Sequence, residues 1–198
     1  MAGASWIFTR NQLESSGAFL ATEMNGEPLS EDHGFPIRLV IPGWYGCTCI
    51  KWVNEIALVD EAAPATTQMY EFAQRTHQVG NPSLARDFRP ANIDVAAMPV
   101  RVEKWLVDGH LEYHIVGILW GGTRRVTALQ IRFNRDTNYV PIGSLHHQTN
   151  ATWTLWTHDW RPKVTGNYWI QMRVADSSIP TRRLDAGYYA RKVVITEV

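Results

Sequence analysis

Alternation of apolar and polar residues marks the second half of the chain. Leu129, Ile131 and Phe133 alternate with Gln130 and Arg132, and Tyr168, Ile170, Met172 and Val174 alternate with Trp169, Gln171 and Arg173. Successive residues of a strand face opposite ways, so each run predicts a strand with one buried face. Residues 111–119, 153–157 and 191–198 carry further strand signals, and the polar stretches 134–138 and 161–167 carry turn chemistry. Without a long helical period anywhere in 96–198, the pattern predicts an all-β two-sheet sandwich. The Cys…Trp…Cys spacing of antibody domains is absent from it.

Residues 1–95 read differently, as a mixed α+β part. One helical stretch, weakened by Gly17, is expected over 13–24, followed by a tight turn over 25–29. Residues 36–42 form a short strand bounded by prolines, and 42–46 a turn. The apolar run 50–59 is expected to end in a strand. Residues 61–95, rich in Ala, Pro and polar side chains, read as a covering segment and linker. A unit this small buries little apolar surface against its chain entropy, so packing against the sandwich or a larger body is expected.

Composition narrows the function classes. The 198 residues carry 19 Lys+Arg against 19 Asp+Glu. A neutral chain lacks the electrostatic footprint of a sequence-independent nucleic-acid coat. No apolar run reaches the roughly 18 residues that span a bilayer, so no membrane partner is expected. The first residues show no basic stretch followed by an apolar one, which makes a cytoplasmic location the default expectation. Two cysteines, Cys47 and Cys49, are too few for a disulfide framework. Nine tryptophans, most of them in the second half, are the one unusual count.

Candidate chemistry concentrates in one place. His33, Arg38 and Lys51 stand among Gly34, Gly43 and Gly46. A guanidinium fork, a mobile ammonium and a titratable imidazole between glycine turns suit an anion. Elsewhere the signals are weaker. His146-His147 would point to opposite faces of a strand and chelate poorly, so a loop reading is preferred. His158-Asp159-Trp160 with Trp153 and Trp156 is a candidate aromatic platform, but sandwich cores and interfaces also bury tryptophan, and that reading is preferred. Glu14 and Glu23 read as solvated. No nucleophile elbow, P-loop or dinucleotide fingerprint is present.

The segment around those cations resembles the molybdopterin-binding segment of the sulfite oxidase family. The family pattern N-G-x-x-L, H-G-x-P-x-R, P-G-x-x-G and V-K-W is met by Asn25-Gly26…Leu29, His33-Gly34…Pro36…Arg38, Pro42-Gly43…Gly46 and Ile50-Lys51-Trp52, with Ile50 for Val as the departure. Val116–Gly122 resembles the early G-x-A-W-x-G strand, and Arg173–Asp176 the late R-A-x-D strand, of the immunoglobulin-like dimerisation domain that follows in this family. The resemblance implies a fold in two parts: the end of a molybdopterin domain over 1–95, and an immunoglobulin-like sandwich over 96–198.

It also implies that His33, Arg38, Cys49, Ile50 and Lys51 hold the cofactor, the last three by closing around its phosphate end. The implied function is that of the C-terminal part of a molybdenum-cofactor oxidoreductase, transferring an oxygen atom to or from a small oxyanion such as sulfite or nitrate. The implied partners are a second copy of the sandwich and a chain carrying the N-terminal half of the molybdenum domain, so that the cofactor is at least partly bound by residues outside this chain. The family's metal-ligating cysteine and its substrate-binding arginines and tyrosine lie ahead of N-G-x-x-L and have no recognisable counterpart here; residues 6–10 read as a remnant of that region without the tyrosine. No catalytic or metal residue is therefore assigned, Cys47 and Cys49 included, and the chain by itself is expected to be inactive. The alternative is a Trp-rich sandwich for binding or dimerisation without catalysis.

Overall fold

Thr9 sets the first element. Its hydroxyl accepts from Gln12 N–H at 3.2 Å while Gln12 Oε1 accepts from Thr9 N–H at 3.0 Å. This reciprocal capping box starts α1 (Arg10–Ser16), and Gly17, at φ 65°, ends it. The helix therefore lies earlier than the expected 13–24, because the left-handed Gly17 stops it and releases 19–21 into a strand. The computed structural model describes residues 3–76, 78, 80–143, 145 and 152–198. The chain divides into two compact units, Met1–Ile93 and Asp94–Val198.

In the first unit, β1 (Phe19–Ala21) is followed by a hairpin of β2 (Glu23–Met24) and β3 (Glu27–Pro28), turned by Asn25 and Gly26 as the sequence indicated. The strand β4 (Arg38–Val40) pairs antiparallel with β1, Phe19 opposite Val40 and Ala21 opposite Arg38. Residues 50–53 run beside β4: Leu39 N–H donates to the Ile50 carbonyl at 2.8 Å and Val53 N–H to the Ile37 carbonyl at 2.9 Å. The expected strand at the end of 50–59 does not form. Ile56, Leu58 and Val59 are exposed instead, with Leu58 fully open at 102%.

Residues 61–95 are more than a linker. The helix α2 (Thr67–Glu71), capped by Thr66, and short turns after it carry Met69, Ala73, Ala85, Phe88 and Ala91 into a core with Trp6, Ile41 and Trp44. Met69 is fully buried. Small alanines let these short turns approach the tryptophans closely. The segment lacks periodicity because its core residues come from short turns rather than from one long element.

The second unit consists of antiparallel sheets forming a sandwich-like body. Its strands are β5 (Ala96–Val107), β6 (His110–Trp120), β7 (Leu129–Phe133), β8 (Val140–Pro141), β9 (Thr154–Trp160), β10 (Gly166–Val174) and β11 (Arg191–Ile195). One sheet has the order β5-β6-β9 and the other β11-β10-β7-β8. The alternating residues behave as predicted: Leu129, Ile131, Ile170, Met172 and Val174 share a core with Ile115, Leu119 and Trp156. Gln171 is the exception, a polar residue of the outer row that is nonetheless buried. The long strand β5 was not legible. It contains Pro99, and a register shift between Pro99 and Arg101 breaks its alternation. A proline and a bulge are tolerated there because β5 is the edge of its sheet. No helix of the described residues is long and apolar enough to cross a membrane.

Candidate functional site

Residues 31–52 fold around a single turn. Glu31–His33 form a short 3-10 turn whose carbonyls face donors from the far end of the segment. Trp52 Nε1 donates to the Glu31 carbonyl at 2.9 Å, Lys51 Nζ to the Asp32 carbonyl at 2.6 Å, and Arg38 to the His33 carbonyl at 3.1 Å. Ser30 Oγ and His33 Nδ1 share a hydrogen bond at 2.6 Å. The cations thus sit at the negative end of the turn, where their charge is favoured.

Gly34 makes the closure possible. Its φ is 106°, and a Cβ there would stand 3.0 Å from Lys51 Cβ and 3.2 Å from Arg38 Cβ. The backbone conformation and the close approach both require the missing side chain. His-Gly at one end and Arg and Lys-Trp at the other are therefore one structural unit, although Lys51 follows Gly34 by many residues.

The structure brings together three of the five expected cofactor residues, His33, Arg38 and Lys51. His33 and Lys51 are exposed and Arg38 is half-buried. Cys49 and Ile50 lie next to this cluster in sequence, but their side chains pack against the hydrophobic core. Cys49 Sγ accepts from Ile41 N–H at 3.4 Å, and Cys49 N–H donates to the Gly46 carbonyl at 3.1 Å. Cys47, also a free thiol, is half-buried; burial pushes its thiol up, against smaller opposing effects of a backbone hydrogen bond and Arg75. Ser30 was not singled out from the sequence, although a serine three residues before a histidine at the start of a turn was the available signal.

One atom of the cluster is unspent. Arg38 Nε is buried and has no hydrogen-bond partner. A buried donor left so costs about 1–3 kcal/mol, which an anionic acceptor beside it would relieve. This orphaned donor, with the Gly34 cradle and the neighbouring ammonium, suits an anionic group such as a cofactor phosphate.

The remaining candidates disperse. Trp156 is in the sandwich core, Trp160 stacks on Phe133 with centroids 4.1 Å apart, and Trp153 is exposed, so they share no platform. Glu14 is solvated and pairs with Arg10 one turn away, and Glu23 is exposed. His146 and His147 lie outside the described residues.

Residues 6–67 match the family described as the oxidoreductase molybdopterin binding domain. Mitochondrial sulfite oxidase of Drosophila melanogaster is 28% identical over 186 residues, spanning 85% of this chain and 30% of that protein. The NADPH nitrate reductase of Leptosphaeria maculans is 30% identical over 148 residues, spanning 68% of this chain and 16% of the reductase. This chain thus spans less than a third of the length of these curated relatives. In fold, it resembles the sulfane dehydrogenase SoxCD of Paracoccus pantotrophus, with a TM-score of 0.60 and 21% identity over 93% of this chain and 50% of that one. From the closed His-Gly…Arg…Lys-Trp cluster and these matches together, the chain belongs to the sulfite oxidase and nitrate reductase family of molybdopterin oxidoreductases.

Proposed function

We propose that this chain grips the phosphate end of molybdopterin with Arg38, Lys51 and His33 and forms a homodimer through its sandwich unit, as the C-terminal part of a molybdenum-cofactor oxidoreductase. The observation that carries the first half is the buried Arg38 Nε with no partner beside the Gly34 cradle. Arg38 offers a planar fork to phosphate oxygens, and its anchor on the His33 carbonyl fixes the direction of that fork. Lys51 adds a point charge, and His33 is oriented by Ser30. Bound, the cofactor would supply two-electron oxygen-atom transfer to or from a small oxyanion such as sulfite or nitrate. The task of these side chains is to hold one end of it still.

The dimer reading rests on the outer face of the β5-β6-β9 sheet. Strand register places Met98, Ile118 and Leu155 side by side on it; Met98 and Ile118 are half-buried, Met98 packing in part on the core, and Leu155 is 68% exposed. A two-fold arrangement of this face against itself would cover that row.

The test of cofactor binding compares the wild-type chain with the Arg38→Ala/Lys51→Ala double variant, both titrated anaerobically with molybdopterin. Loss of two charge-assisted contacts is expected to weaken binding by at least about tenfold. Equal affinity in the two proteins would overturn the assignment.

A further inference from the structure

Several cations of the sandwich unit have a carboxylate beside them. Arg161 lies 2.7 Å from Glu112, Arg101 2.8 Å from Glu103 and Lys104 3.0 Å from Glu197. Arg132 and Arg173 do not: among the described residues neither is within ion-pair distance of an acid. They stand on the same outer face of neighbouring strands, Arg132 opposite Gln171 and Arg173 opposite Gln130. Each commits its Nε to the glutamine across from it, at 3.0 Å and 2.6 Å. Both guanidinium groups also lie over one ring, that of Tyr139, with their central carbons 4.6 Å and 4.2 Å from its centroid. The ring attracts each cation, but it does not cancel the repulsion between them.

A cleft of about 320 Å³ opens beside Arg173, lined by Tyr139, Thr181, Arg182, Arg183 and Asp185. Arg182 pairs with Asp94 at 3.7 Å, and Arg183 approaches Asp185 at 3.9 Å. Those two acids offset those two arginines, leaving the charges of Arg132 and Arg173 unneutralised. Gln171 braces the arrangement. It is 1% exposed, its Oε1 takes the Arg132 bond, and its Nε2 donates to the Asp185 carbonyl at 2.5 Å. The buried amide thus ties the arginine face to the 181–185 wall and fixes its own orientation. Burial, opposed by Arg132 and Arg173 and reinforced by the Asp185 carboxylate, holds the Tyr139 hydroxyl above its ordinary range.

We propose that this cleft is a second anion site, taking a free tetrahedral oxyanion of the phosphate or sulfate class on the terminal N–H groups of Arg173, with Arg183, Thr181 and Tyr139 as further donors. If the arginines served only to pin Tyr139 and its turn to the sheet, one cation would suffice. The site shares no residue with the cluster at 31–52 and does not depend on the cofactor reading.

The test is a ¹⁵N NMR titration of the full chain with sodium phosphate and with sodium sulfate, against sodium chloride at matched ionic strength. Saturable shifts at Tyr139 and residues 181–185 with either oxyanion are expected, with none from chloride. They should persist in Arg38→Ala/Lys51→Ala, which removes the phosphate-gripping cations of the first unit. Arg173→Gln should weaken binding at least about tenfold, the worth of a charge-assisted bond. Arg183→Ala should weaken it severalfold; this side chain is 82% exposed, so the fold is not at stake. Shifts that follow ionic strength alone, shifts confined to residues 33–52, or unchanged affinity in Arg183→Ala would overturn the proposal.

Discussion

Gly34 is where sequence, backbone and chemistry meet. Any side chain there must adopt a φ of 106° and intrude on Lys51 and Arg38. Left-handed strain alone is on the order of 1–3 kcal/mol, so Gly34→Ala should lower the urea midpoint of unfolding and weaken molybdopterin binding together. A variant of unchanged stability and affinity would show that the close approach is unimportant. His158 yields a second expectation at this scale. Its ring faces inward from β9, and burial, opposed by Asp159, lowers its pKa below the ordinary 6.5. The unfolded chain then takes up a proton near pH 6.5 that the folded chain accepts only at lower pH. Proton uptake by the unfolded state favours unfolding, so stability should decline as pH falls below that value. Thermal midpoints measured across pH 5 to about 8 should show this slope, and His158→Gln should flatten it.

At the scale of elements, Gly117 on β6 governs how the sheet meets its core. A Cβ there would stand 2.0 Å from Trp156 Cζ2 and 2.6 Å from the Met98 carbonyl oxygen. Neither a buried tryptophan nor a backbone carbonyl yields cheaply, and overpacking commonly costs 1–3 kcal/mol or more. Gly117→Ala should therefore lower the thermal midpoint by several degrees, roughly 2–8 °C on the usual scaling, whereas a neutral outcome would mean that Trp156 can move aside. The elements themselves were unevenly legible in the sequence. Strands β6, β7, β10 and β11 announced themselves through alternation or β-rich runs, because each has one buried face. The Asn25-Gly26 turn was equally plain. By contrast β5 was hidden by Pro99 and its bulge, α1 was misplaced because Thr9 and Gln12 lie ahead of the apolar run, and the strand at the end of 50–59 was expected from apolarity alone, whereas only 50–53 run beside β4. For the site, the pattern of glycines and cations was visible, but which side chains converge was not. His33, Arg38 and Lys51 meet only because the turn at 31–33 offers its carbonyls to the far end of the segment, while the side chains of Cys49 and Ile50 pack on the core.

For the whole molecule, each unit has its own apolar core, built from short turns around Trp6, Met69 and Trp44 in one and from facing strands in the other. The proposed dimer belongs to this scale. Leu155→Asp places a charge on the Met98–Ile118–Leu155 row without touching a buried residue, so it should convert a dimer to a monomer in light scattering while leaving the circular dichroism intact. A wild-type chain that is already monomeric would refute the dimer. Arg38 Nε is the donor on which cofactor binding by this chain turns. The most direct measurement is a crystal structure of the chain with molybdopterin bound. A cofactor phosphate oxygen at hydrogen-bond distance, about 3 Å, from Arg38 Nε and within reach of Lys51 is predicted. A cofactor seated elsewhere, with that donor still unpartnered, would contradict it.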